Sequence, residues 1–329
     1  MIRSIPKRSP ARLWVAVAAA ACLCMPGCGE AAPAAAVGAW HRDPAGAILR
    51  DPLPGGGYEV ASDPHVFADG RGVVRMLYTG DHDDRPALKL ATRGAAGGWA
   101  PGRTIEILRP AGAPAISRET GFHRATAGGR HRLWYIAYAD EASYEAQLHV
   151  AEAASAEGPY RERPGPVVER GHLAGAFVHC VTSPSVVEHE GTLHLVFLAW
   201  DAPPDRVTRV RVLGATSADG GTTWSEPAEV DCPIGMEGQV TPRPGGGFVA
   251  VRTDAHGDRE AIFRATADHP FGPWTPDPAP LLVQHGPLER SEIIAPSISF
   301  ATGEGGAGVL FYTGADHRRG WWILRATRR

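Results

Sequence analysis

Lysine is nearly absent from this chain. Of its 33 basic residues, only Lys7 and Lys89 are not arginine. A formal net charge of −3 leaves no basic surplus to neutralise a phosphate backbone, so a nucleic-acid partner is excluded as a first reading. The 14 histidines show no HExxH or similar metal spacing, and no metal or other cofactor is implied. Cysteine is sparse, at five in 329 residues, which rules out a disulfide-dense scaffold. The apolar run Leu13 to Met25 has 13 residues, too short to span a bilayer comfortably. What is plentiful is turn chemistry. Gly (40) and Pro (29) make up a fifth of the chain, against about 12% in ordinary usage. With 43% hydrophobic and 21% charged residues the chain can fold. The turn excess suits an all-β protein with many short strands.

Arg3, Lys7, Arg8 and Arg12 precede the apolar run, the layout of a secretory signal. The run ends in Met25-Pro26-Gly27-Cys28, which resembles a bacterial lipoprotein box, where lipid is attached to the cysteine. Met25 and Pro26 depart from the usual box, and ordinary cleavage near Ala34-Ala35-Ala36 is the alternative. The expectation is a signal over residues 1–28, a tether over 29–37 and one folded unit over 38–329. The protein would be exported and anchored at the bacterial cell envelope (periplasm or outer membrane), touching membrane only through lipid on Cys28. Cys22 and Cys24 fall inside the signal. Cys180 and Cys232 fall at matching places in neighbouring repeats and could pair in an oxidising compartment; two buried free thiols are the alternative.

Internal repetition is the most informative feature. Strand-like runs recur at Val73–Thr79, Leu133–Tyr138, Leu193–Leu198, Phe248–Val251 and Val309–Thr313. They are β-branched and aromatic, and too short for helices. A second set ends in Ala91-Thr92, Ala151-Glu152, Ala215-Thr216, Ala265-Thr266 and Ala326-Thr327, and four repeats then carry Trp99, Tyr160, Trp224 or Trp274. Each repeat opens with a short segment, at Asp63, Glu119, Ser183, Glu237 and Ala295, spaced by 56, 64, 54 and 58 residues. Four strands per repeat describe a propeller blade. The fifth repeat ends at Arg329 without its fourth strand, while Trp40-His41-Arg42-Asp43-Pro44 at the other end resembles the missing piece. The sequence therefore predicts an all-β, five-bladed β-propeller whose last blade is closed by the N-terminal strand, leaving no open edge there.

Asp63-Pro64-His65-Val66, Ser183-Pro184-Ser185-Val186 and Ala295-Pro296-Ser297-Ile298 resemble the blade openings of five-bladed glycoside hydrolases. That group includes glycoside hydrolase family 43 (arabinanases, xylosidases, arabinofuranosidases) and, as relatives in fold, the fructosidases. Phe271-Gly272-Pro273-Trp274 and Glu157-Gly158-Pro159-Tyr160 are typical blade ends. The resemblance implies a sugar-binding axial cavity with three acids: a general base opening blade one, a modulating Asp opening blade three and a general acid opening blade four. Asp63 matches the base and Glu237 the acid. The middle position is Ser183, so the modulating carboxylate is missing, and Glu119 opening blade two is a substitute candidate. Glycoside hydrolysis wants two carboxyls because one protonates the leaving oxygen while the other activates water or attacks.

Arg118, His123, Arg124, His179, Arg252, Arg290 and Glu292 stand near blade openings and are candidate contacts for an oligo- or polysaccharide. A surface ion pair is the plainer reading of Arg290 and Glu292. Ser217-Ala218-Asp219-Gly220-Gly221-Thr222-Thr223-Trp224 fits the Asp-box of sialidases. Its physical role is a turn between the last two strands of a blade. Five repeats and no convincing arginine triad argue against a sialidase. The rival expectations are a non-catalytic carbohydrate-binding lipoprotein, favoured by Ser183, and a sialidase-like or phosphorolytic enzyme, the latter requiring cations beside Glu237.

Overall fold

In the computed structural model, residues 39–328 are described, apart from 54, 110–115, 141–142 and 303–307. Every described element is a strand except a 3-10 turn at Pro287–Glu289. In chain order, β1 (Trp40–Arg42) and β2 (Glu59–Val60) precede blade one, formed by β3 (Ser62–Ala68), β4 (Val74–His82), β5 (Arg85–Thr92) and β6 (Arg103–Thr104). Blade two has β8 (Ser117–Ala125), β9 (His131–Tyr138), β10 (Gln147–Ala153) and β11 (Tyr160–Glu162), with β7 (Ile107–Leu108) added in parallel to β11. A separate hairpin, β12 (Gly171–Leu173) and β13 (Ala176–Val178), leads to blade three. That blade has β14 (Cys180–His189), β15 (Thr192–Trp200), β16 (Val210–Ser217) and β17 (Ala228–Glu229). Blade four has β18 (Gln239–Pro242), β19 (Phe248–His256), β20 (Arg259–Ala267) and β21 (Thr275–Pro276), with β22 (Leu282–Val283) also on β20. Blade five has β23 (Glu292–Ser299), β24 (Val309–Asp316) and β25 (Gly320–Arg328).

The predicted closure is present. Strand β1 pairs antiparallel with β25, Trp40 opposite Arg328 and Arg42 opposite Ala326. Arg42 donates to both oxygens of buried Glu289 at 2.7 Å, and Arg325 Nε donates to Asp43 at 2.9 Å.

The core explains why the aromatic at each fourth strand recurs. Five apolar clusters fill the five blade interfaces. Leu88 meets Tyr135 between blades one and two, and Trp134 meets Phe197 between two and three. Leu198 meets Val240 between three and four. Ile262 meets Leu310 between four and five, and Phe311 meets Met76 between five and one. Tyr160, Trp224, Trp274 and Trp99 each pack against the cluster shared with the preceding blade. Trp40 does the same for blade five, so the N-terminal strand supplies both missing hydrogen bonds and missing side-chain volume.

The Asp-box turn lies between β16 and β17, as its chemistry requires. Asp219 accepts from the Thr222 and Thr223 amides at 2.9 and 3.0 Å and from Thr223 Oγ1 at 2.6 Å. Cys180 and Cys232 correct the disulfide expectation: both are free thiols buried in one apolar cluster, and burial holds each thiol above its ordinary pKa. Cys22, Cys24 and Cys28 lie outside the described residues.

Candidate active site at one mouth of the axis

The site is built by one backbone device used five times. Asp63, Thr120, Ser183, Glu237 and Ala295 all have positive φ, between 49° and 56°. In β3, β8, β14 and β23 this residue sits in a bulge that skips the pairing register. A bulge re-aims a side chain, and left-handed φ costs energy for a residue with a Cβ. The following residue is Pro64, Gly121, Pro184, Gly238 or Pro296. At Gly238 a Cβ would lie 1.9 Å from the Val251 carbonyl oxygen, so no side chain fits beside Glu237.

This register corrects one expectation. The blade-two equivalent of Asp63 is Thr120, and Glu119 stands one residue earlier. Threonine hydroxyls of the preceding blade hold two of the bulges. The Asp63 amide donates to Thr313 Oγ1 at 3.1 Å and the Thr120 amide to Thr79 Oγ1 at 3.0 Å. The repeated Tyr78-Thr79-Gly80 and Tyr312-Thr313-Gly314 carry that signal in the sequence.

Four carboxyls meet here. Asp63 is 3% exposed, Glu119 0%, Glu237 7% and Glu292 2%. Ser62 Oγ donates to Asp63 Oδ2 at 3.0 Å. Tyr144 Oη donates to Glu119 Oε1 at 2.5 Å. Glu292 is bound by His317 Nε2, a partner the sequence reading missed because His317 lies in the distant β24–β25 turn. Burial pushes the Glu237 carboxyl well above the ordinary range, and the charges of Asp63, Glu119 and Glu292 push it further. Burial also raises Asp63, opposed by hydrogen bonds from Thr79 and Ser62. The Glu292 carboxylate, through its hydrogen bond, holds His317 above its ordinary pKa despite burial. Ser183 is buried at the homologous blade-three position, and its hydroxyl has no hydrogen-bond partner among the described residues.

Below this mouth the axis is plugged. His65 Nδ1 and Gln239 Oε1 meet across it at 3.1 Å, the His65 ring lies 4.2 Å from that of Phe122, and Ser185 Oγ accepts from the Val240 amide at 3.1 Å. Beyond the plug a cavity of about 320 Å³ opens at the other mouth. It takes two of the expected ligand contacts away from Asp63: His123 and Arg124 line this far cavity. His123 stacks on Phe67 at 3.7 Å, and Arg124 pairs with Glu188. The reason is depth, since strands run down the axis and four residues reach the opposite end.

The other expected contacts are dispersed. Arg118 sits one residue from Glu119, on the other face of the strand, and reaches Tyr135. His179 Nε2 donates to the Ser143 carbonyl at 2.6 Å. Arg252 lies beside Gly235, in the loop before Glu237, and pairs with Asp254 at 3.4 Å. Arg290 is exposed, and Glu292 pairs with His317 instead of with it. Among the described residues no group of three or more His, Cys, Asp or Glu is arranged to hold a metal ion.

The sequence matches no family model and no curated protein. The fold is similar to that of an α-L-arabinofuranosidase from Podospora anserina in complex with cellotriose. The identity there is 12% and the TM-score 0.63, covering 89% of this chain and 97% of that one. It is similar to a GH43_1 enzyme from Xanthomonas citri complexed with xylose, at 15% identity and TM-score 0.58, covering 85% and 89%. An N-acetylgalactosamine deacetylase from F. plautii in complex with blood group B trisaccharide is also similar, at 13% identity and TM-score 0.57, covering 82% and 90%. What is shared at such identities is architecture: this chain has the five-bladed propeller seen in glycoside hydrolases of families 43 and 62.

Proposed function

We propose that this protein is an exported, lipid-anchored glycoside hydrolase acting on an envelope or extracellular glycan, with Asp63 as general base and Glu237 as general acid. The observation that carries the reading is two buried carboxyls, from the openings of blades one and four, each held on left-handed backbone at one axial mouth. Backbone strain kept in this way is a mark of a working site. The two environments suit two roles. Asp63 accepts hydroxyl hydrogen bonds that favour its charged form. Glu237 receives no hydrogen bond from the described residues and is surrounded by like charge, so it keeps its proton to higher pH. It can then protonate a leaving oxygen while Asp63 activates water. Glu119 and Glu292 supply the like-charge field that Ser183 does not.

The test is hydrolysis of a panel of aryl furanosides and pyranosides by residues 38–329. Asp63→Asn and Glu237→Gln are each expected to lower turnover by about a hundredfold or more. Turnover that survives both substitutions sinks the assignment. A carbohydrate-binding protein is the second reading, favoured by the serine at position 183. It predicts saccharide binding without turnover in the unaltered protein.

A further inference from the structure

The repeat containing the crossover from blade two to blade three is the longest, and the surplus is the β12–β13 hairpin. It belongs to no blade sheet. Its place is set by the chain on either side. The crossover leaves the outer strand β11 and arrives at the inner strand β14, whose start carries Ser183 at the carboxyl-bearing mouth. On the way, Val168 bridges Leu148 at the start of β10, and His179 binds the Ser143 carbonyl in the loop after β9. Both contacts belong to the end of blade two that faces this mouth. Phe177 is six residues from Ser183, at most about 20 Å of extended chain.

Period-two alternation splits the hairpin into two faces. Val178 is buried and Leu173 packs against the same interface cluster, so that face points inward. His172 and Phe177 are a directly opposed cross-strand pair on the other face. Phe177 is 48% exposed, unusual for a large hydrophobic side chain here, and its ring lies edge-on to His172 with centroids 6.0 Å apart. The turn is fixed. Ala174 and Gly175 both have positive φ, the tight hairpin geometry. Arg211, itself 6% exposed, donates to the Leu173 and Ala174 carbonyls at 3.1 and 3.2 Å. A buried guanidinium thus holds an exposed aromatic pair rigidly in place.

We infer that the His172–Phe177 face is a platform for a saccharide chain leaving the axial mouth, giving the protein a preference for chains over single glycosides. This rests on the glycan-active reading above. A sugar ring offers a C–H face to an aromatic ring and hydroxyls to an imidazole edge, the mixture this pair presents. Rigidity lowers the ordering cost of such a contact.

The experiment compares Phe177→Ala with the unaltered protein on two probes: the best aryl glycoside of the panel and a hexasaccharide of the same sugar. Phe177 is exposed, so its loss leaves the fold intact, which an unchanged melting temperature verifies. The expected result is a KM for the hexasaccharide raised about fivefold to tenfold, with the aryl glycoside within twofold. An equal effect on both probes, or none on the hexasaccharide, overturns the platform. Were the protein to hydrolyse nothing, the catalytic reading alone would fall. The platform is then decided by titrating arabino-, xylo- and galacto-hexasaccharides into both proteins, where Phe177→Ala weakens binding if the inference holds and leaves it unchanged, or absent in both, if it does not.

Discussion

At the residue scale the site is defined by unrelieved charge. Asp63 and Glu237 both have carboxyls raised by burial. A folded-state pKa above the unfolded one means the folded form binds more protons. Its stability contribution is full below the unfolded value near 4 and is lost as pH rises through the folded value. At neutral pH these groups therefore cost stability, and Glu237→Gln should raise the melting temperature while abolishing turnover, a trade expected of functional residues. Lower stability in calorimetry would mark Glu237 as structural. Glu119→Gln removes one like charge, so Glu237 should lose its proton at lower pH. The alkaline limb of kcat/KM should move to lower pH. A limb that stays in place separates Glu119 from the acid. The positions of Asp63 and Glu237 at blade openings were legible in the sequence because each precedes Pro or Gly at a repeat start. Glu119 is not the blade-two start: the backbone turns at Thr120-Gly121, one residue further on, and residue type alone does not distinguish the two. His317 was not legible, since nothing in its own neighbourhood foretells a contact with Glu292 across a hairpin.

At the element scale the bulge matters more than strand propensity. Strands were readable from β-branched and aromatic runs, and blade interfaces from the aromatic near each fourth strand. Depth along the axis was not, because spacing tells which residues alternate and not which mouth they reach; His123 and Arg124 were misplaced for that reason. Gly238 tests the blade-four opening, where a tight turn takes the place of the bulge. A Cβ there meets the Val251 carbonyl, a backbone atom that cannot swing aside. Gly238→Ala should destabilise by about 2 kcal/mol and displace Glu237, lowering kcat together with the urea midpoint. An unchanged midpoint would show that β18 and β19 can part without penalty.

At the scale of the whole molecule, the ring is closed by the N-terminal segment on β25, with β1 supplying the outer strand and β2 and Leu49 adding further pairs. Arg42 neutralises Glu289, which is 2% exposed and also accepts from Tyr312 Oη at 2.8 Å and the His285 amide at 2.7 Å. Arg42→Ala leaves that carboxylate charged and half-served. Breaking a buried pair costs about 3–5 kcal/mol, and the remaining donors together with the partly exposed Arg42 reduce this to about 2. Chemical denaturation should show that loss, and a loss near zero would place the weight of closure on Trp40 instead. The pairing of Trp40 with Arg328 also has a kinetic side. Contacts between the two ends of a chain form late, because the loop they close is long. During synthesis Trp40 emerges early and must wait until β25 is complete, so four blades can assemble before the fifth has its outer strand. Between the completion of β25 and its pairing with β1, that edge is open to other strands, and this interval is when the newly made protein is most exposed to aggregation.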